Sequence, residues 1–277
     1  MAMAEKFKVQ LVYLVPVLAS LLFGLGCAAI LLAQPLPEIS VTPFPGDSGS
    51  APFGNAVYFV ILIALSATIF YILLKRKSRK LIFGLIAFAL TTAALLLSVI
   101  YLSALFVYEP ELDFLVLPLS ILLTIIFDLA IFRLGGKARN LAVVLLGGAL
   151  GIFFSASIPF LSALLILVFL AVYDVFAVYY GPVGKIAESG LDQLQGLSYS
   201  FKDVQMGLGD LVFYSMLSGS LLFQFQPSLV PCFVSIVGIS VGSLITLVLL
   251  EKKGIFPGLP FPIALGLIGG ILAALVA

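Results

Sequence analysis

Polar residues in this chain come in short clusters. Between the clusters run apolar stretches of roughly 20 residues, the length a helix needs to cross the hydrocarbon core of a bilayer. Nine such runs stand out: Val9–Ala33, Ala56–Leu74, Leu81–Tyr108, Phe114–Phe132, Leu141–Ile158, Phe160–Tyr180, Gly207–Phe225, Val230–Leu250 and Pro257–Ala277. The stretch from Leu141 to Tyr180 is too long for one crossing, so Pro159 is read as a break between two helices, a single kinked helix being the alternative. The first run is longer than the core of a cleaved signal peptide and lacks a small-residue exit, so it is read as a helix that stays. Two connections are conspicuous. Residues 34–55 are rich in Pro, Gly and Ser and read as an irregular outer loop; residues 181–206 form a long inner loop. No internal repeat or low-complexity tract is evident. The fold class predicted is all-α and polytopic.

Composition agrees. The chain is 62% hydrophobic and 10% charged, with a mean hydropathy of +1.28, against about 45–50% and about 25% for soluble domains. A soluble enzyme, a nucleic-acid binder and a disordered chain are excluded. The net charge of +1 says little, but its placement says more. With the N-terminus inside, all 14 basic residues fall at the inner face, including Lys6, Lys8, the cluster from Lys75 to Lys80, Arg133, Lys137, Arg139, Lys252 and Lys253. The outer loops carry only acids: Glu38, Asp47, Glu109, Glu111 and Asp113. Cytoplasmic loops collect Lys and Arg, so the reading is nine crossings with the N-terminus cytoplasmic and the C-terminus outside.

The chain has no His, which removes Ser-His and Cys-His catalysis, HExxH zinc sites and haem ligation through His. Cys27 and Cys232 lie singly in apolar runs and suggest neither a metal site nor a disulfide. No metal and no cofactor is expected. Acids remain: Asp128, Asp174 and Asp210 fall within the runs, where an ionised side chain is costly and functional by default. Asp174 lies roughly 9 Å and Asp210 roughly 4–5 Å from the inner ends of consecutive, antiparallel helices, at 1.5 Å per residue. Ala171, Asp174, Ala177 and Gly181 share a small-sided face, as do Gly207, Asp210, Tyr214 and Ser218, so the two helices can approach closely. Two adjacent carboxylates share a proton. One can then take a proton from water while the other bonds a peptide carbonyl and assists the leaving nitrogen. The competing reading, two unrelated buried polar groups, stays open at this point. Asp128, near Arg133, is read as structural or interfacial. Gly147, Gly148, Gly151 and Ser155 read as a helix-packing face.

The local sequence around these acids is also familiar. Tyr173-Asp174 resembles the YD motif, Gly207-Leu208-Gly209-Asp210 the GxGD motif, and Pro257-Gly258-Leu259-Pro260 the PxLP motif of the presenilin and signal peptide peptidase family of intramembrane aspartyl proteases. The order and helix placement of the three motifs match, while Gly258 replaces the usual Ala. The resemblance implies that Asp174 and Asp210 are a catalytic dyad supported by Tyr173, Gly207, Leu208 and Gly209. It implies that Pro257, Gly258, Leu259 and Pro260 form the site and engage substrate. Without the resemblance, Gly207 and Gly209 would allow a backbone near Asp210 or simply loosen a helix start, and the prolines would leave carbonyls free or simply open a helix.

On this reading residues 1–277 form one membrane domain, with 9–158 as scaffold and 160–277 as the catalytic helices around the 181–206 loop, which is expected to cover the site. The orientation is that of presenilin, and the compact length resembles microbial, archaeal homologues. The resemblance implies an aspartic endopeptidase of the cell membrane (an endomembrane in a eukaryote). Its partners would be transmembrane-segment substrates and the lipid bilayer, with no nucleic acid, and a homo-oligomer stays open. The alternatives are a proton- or cation-coupled transporter using the same aspartates, and a scaffold of a membrane complex.

Overall fold

The computed structural model describes residues 8–33, 40–76, 78–180, 198–201 and 204–276. Among these, nine long helices follow one another: α1 (Val15–Ala33), α2 (Ala51–Lys75), α3 (Arg79–Phe106), α4 (Asp113–Asp128), α5 (Gly136–Ser157), α6 (Phe160–Tyr179), α7 (Leu208–Gln224), α8 (Val230–Lys253) and α9 (Pro260–Val276). A 3₁₀ turn at Leu11–Leu14 leads into α1, and a π-helical stretch, Leu129–Leu134, prolongs α4. Seven helices are long and apolar enough to cross a membrane, and α9 is apolar but shorter. The chain is a multi-pass membrane protein. Pro159 does separate two helices: it stands just before α6, and its carbonyl accepts the N–H of Ala163 at 2.9 Å.

Three boundaries differ from the sequence reading. Helix α2 starts at Ala51, inside the expected outer loop, because Pro52 in its first turn has no N–H to lose there. Helix α9 starts at Pro260 for the same reason, which leaves Pro257, Gly258 and Leu259 outside it. The last part of the inner loop is a hairpin, β1 (Ser198–Phe201) with β2 (Val204–Gly207), antiparallel with Ser198 opposite Gly207 and Phe201 opposite Val204. The expected covering role of the inner loop falls mostly on residues 181–197, outside the described residues.

Helix α7 sits at the centre. From Leu211 to Leu222 all but Phe213 are buried, including Tyr214, Ser215, Ser218 and Ser220. A helix this rich in hydroxyls is poorly matched to lipid, so it lies where other helices cover it. Ser155 of α5 donates to the Met216 carbonyl at 2.9 Å, and the Ser20 and Ser215 hydroxyls are 3.5 Å apart. Glycines set the spacing. A Cβ on Gly148 would stand 2.5 Å from the Ser20 carbonyl oxygen of α1, and one on Gly151 would collide with the Val212 carbonyl of α7. Gly242 brings α8 against Pro262 of α9 in the same way. The face read from sequence on α5 is therefore a packing face, and it is used on two sides.

The periphery is tied by a few polar contacts. Asp47 accepts the N–H groups of Leu161 and Ser162 at 3.1 and 3.2 Å and so caps α6 from a loop. Asn55 of α2 bonds the Phe44 carbonyl and the Ser162 hydroxyl at 2.9 and 3.0 Å. Elsewhere, Glu251 at the end of α8 accepts the Val9 N–H at 2.9 Å, and the Phe83 and Phe132 rings meet edge to face at 5.3 Å.

Gly151→Ala is expected to lower thermal stability in detergent by about 1–3 kcal/mol, since its methyl meets backbone that cannot move aside. Gly84→Ala on the exposed side of α3, where a Cβ meets nothing within 4 Å, is expected to leave it unchanged. Asp47→Ala is expected to cost about 1 kcal/mol through the lost cap. Thermal unfolding curves of the three variants check all of this; equal curves for the two alanine-for-glycine variants would refute the packing argument.

Candidate active site

Two helices and one irregular segment build the site. Helix α6 carries Tyr173 and Asp174 in its last two turns, with Ala177 buried one turn further on. Gly207 ends β2 in an extended conformation, φ −67° and ψ 144°, and caps α7. Asp210 then falls in the first turn of α7, the end where free N–H groups and the helix dipole favour an acid. Leu208 is buried and faces Gly147 of α5, which anchors the start of α7.

The third element is Pro257–Leu259, between α8 and α9. Its backbone is neither helix nor strand, so its polar groups must find partners elsewhere. They find them on α6 and α7. The Leu259 N–H donates to Asp174 Oδ2 at 3.0 Å, and the Gly258 carbonyl accepts the Tyr214 hydroxyl at 2.8 Å. Gly258 lies directly on the second acid: a Cβ there would stand 2.7 Å from Asp210 Oδ2 and 3.0 Å from its Cγ. The two carboxylates are near enough to feel each other's charge. Asp174 and Asp210, which helix spacing allows to approach, thus both lie against the Gly258–Leu259 backbone, the segment that the resemblance implies is part of the site.

Some expectations change. The prolines read in sequence as leaving carbonyls free or simply opening a helix; Pro260 opens α9, and the Gly258 carbonyl accepts the Tyr214 hydroxyl. The close backbone at Asp210 is that of Gly258. Gly209 is exposed, and a Cβ there would touch only the Phe213 ring, at 3.7 Å. Tyr173 is half-buried beside Asp174. Tyr214 was legible only as part of a polar stripe one turn beyond Asp210; its partner lies 44 residues away. Asp128 stands apart from this point. Both of its oxygens, 3.0 and 2.8 Å from the Thr91 hydroxyl, tie α4 to α3, the structural reading of that residue.

Tyr214→Phe leaves the Gly258 carbonyl without its donor. Amide hydrogen exchange at Leu259 is expected to quicken by about three- to tenfold, with α1–α5 unaffected. An unchanged rate would show that the bond does not hold the segment.

No family model matches the chain, and no curated protein matches it in sequence. Solved structures do match. One, of a presenilin family intramembrane aspartate protease in a C222 crystal form, superposes with a TM-score of 0.68 at 21% identity, over 97% of this chain and 100% of the other. A second, of a presenilin family intramembrane aspartate protease in a P2 form, gives 0.66 at 22% identity, over 99% and 100%. Over essentially its whole length, the chain has the fold of the presenilin family of intramembrane aspartate proteases.

Proposed function

We propose that the protein is an intramembrane aspartyl protease of the GxGD type that hydrolyses peptide bonds within transmembrane segments. The observation that carries the reading is the convergence of Asp174 and Asp210, from different helices, on the non-helical segment Gly258–Leu259. The similar fold of the presenilin family structures supports it. One carboxylate is ionised and the other protonated. The ionised one takes a proton from water as the water oxygen bonds to the scissile carbonyl carbon. The protonated one gives its proton to the carbonyl oxygen, and a tetrahedral diol results. The newly protonated carboxyl then gives its proton to the amide nitrogen while the other carboxylate takes a proton from a diol hydroxyl, and the C–N bond breaks to leave a carboxylic acid and an amine. Burial among helices makes each of these hydrogen bonds stronger than it would be in water.

The remaining residues have supporting roles in this proposal. Gly207 and Leu208 set the start of α7, Tyr214 and Pro257–Pro260 hold the wall against the dyad, and Tyr173 and Gly209 flank it. The excess of basic residues in alternate connections supports a dyad near the cytoplasmic side of the cell membrane, with the N-terminus inside and the C-terminus outside. Substrates would be transmembrane segments running N-terminus outward, reached laterally from the lipid bilayer.

Asp174→Asn and Asp210→Asn are each expected to lower cleavage of a labelled transmembrane peptide by the purified chain by at least about 100-fold, without loss of folding. Wild-type cleavage is expected to follow a bell-shaped pH profile whose two limbs belong to the pair rather than to either residue. Full activity in either variant, or a flat profile through acid and neutral pH, would refute the proposal.

A further inference from the structure

Beside Asp210, on the side of α8, lies a cavity of about 120 Å³. Its walls include Asp210 and Tyr214 of α7, Ser243 and Thr246 of α8, and Met206 and Phe256. Ser243 and Thr246 are 2% and 9% exposed. Neither hydroxyl has a hydrogen-bond partner of good geometry among the described residues, although Ser243 lies next to the Tyr214 phenol. Other buried serines are unpartnered too, among them Ser220 and Ser235, but they do not line this cavity. Leaving two hydroxyls unpaired inside a membrane protein is costly. A ligand that pairs with them removes that cost.

The size and chemistry of the cavity select the ligand. It is well below the roughly 300–1,000 Å³ of an organic ligand pocket but holds more than one water, each of which takes about 30 Å³ in the liquid. Its polar groups are hydroxyls and one carboxylate, the two to four partners that a buried water needs. Ser243, Thr246, Leu247 and Leu250 form one face of α8, spaced 3, 1 and 3, so the hydroxyls sit at the deep end and leucines toward the inner end. At 1.5 Å per residue Thr246 is roughly 10 Å from Lys253, close to the depth of the aspartates.

We propose that Ser243 and Thr246 hold water against Asp210, so that α8 supplies the hydrolytic water from the side of the dyad opposite to α6. This rests on the protease reading above. Asp174 does not line the cavity, so the water meets Asp210 first. The ionised carboxylate of the dyad then accepts the water proton as the oxygen bonds to the carbonyl carbon, and the protonated one gives its proton to the carbonyl oxygen. Ser243 and Thr246 are positioning residues: they touch the water and never the peptide.

The test pairs the double variant Ser243→Ala/Thr246→Val, which keeps the shape and removes both hydroxyls, with the double variant Ser243→Thr/Thr246→Ser, which keeps both. Each is assayed in detergent for peptide cleavage, and by hydroxyl-radical footprinting, which oxidises side chains next to bound water. The first variant is expected to lose kcat by about tenfold or more with KM within twofold, to lose labelling at Met206 and Phe256, and to melt no lower than wild type. The second is expected to retain both. Wild-type kcat in the first variant, or no labelling at Met206 and Phe256 in the wild type, overturns the inference while the protease reading stands. Labelling without any cleavage by the wild-type chain removes the protease reading, and with it the assignment of this water to hydrolysis.

Discussion

Everything at the site depends on one constraint: the backbone between α8 and α9 cannot satisfy its own hydrogen bonds. Pro257 and Pro260 have no N–H, and Pro257–Leu259 is neither helical nor paired with a strand. In water such a segment would be solvated. Inside a helical membrane protein its N–H and C=O groups need protein partners, at a cost of several kcal/mol for each one left unpaired. Asp174 and Tyr214 supply them. The interaction therefore works in both directions. It holds α9 in register with α6 and α7, and it brings two carboxylates to the same short stretch of backbone.

A second constraint follows from lipid as solvent. Helix burial cannot be driven by apolarity when the surroundings are equally apolar, so close packing and hydroxyl contacts decide which helices are central. Helix α7 contains Asp210, Tyr214, Ser215, Ser218 and Ser220, and it is the most enclosed. Helices α5 and α8 reach it or its neighbours through glycines that would otherwise collide, while α2, with no buried residue in its apolar window, faces outward. The most enclosed helix is thus one of the most polar, the inverse of a soluble core.

Gly258 links the two constraints. The related motif has Ala at this position, yet a methyl group here would press on the Asp210 carboxylate in the conformation observed. Without a side chain at Gly258, backbone and acid lie in direct contact. The hydroxyl pair on α8 completes the ring of groups around Asp210: backbone on one side, an opposing carboxylate on another, and a small cavity with hydroxyls in its wall on a third.

Much of this was legible in the residues. The nine apolar runs and the break at Pro159 follow from the length a bilayer demands and from a missing N–H. The glycine face of α5 follows from helical periodicity, and the position of Asp174 near the end of α6 and of Asp210 at the start of α7 from the limits of their apolar runs. Each of these depends on neighbours within a few turns of one helix. The three-dimensional fold alone decided the capping of α6 by Asp47, the bond from Tyr214 to Gly258, the pairing of Thr91 with Asp128, and the placing of Ser243 and Thr246 beside Asp210. The hairpin before α7 belongs with these, since its strands are held by each other's backbone rather than by side-chain pattern. In every such case the partners are on different elements or are backbone atoms. Spacing along a chain reports which face of a helix a residue occupies, whereas the neighbour of that face is chosen by how all the helices pack at once.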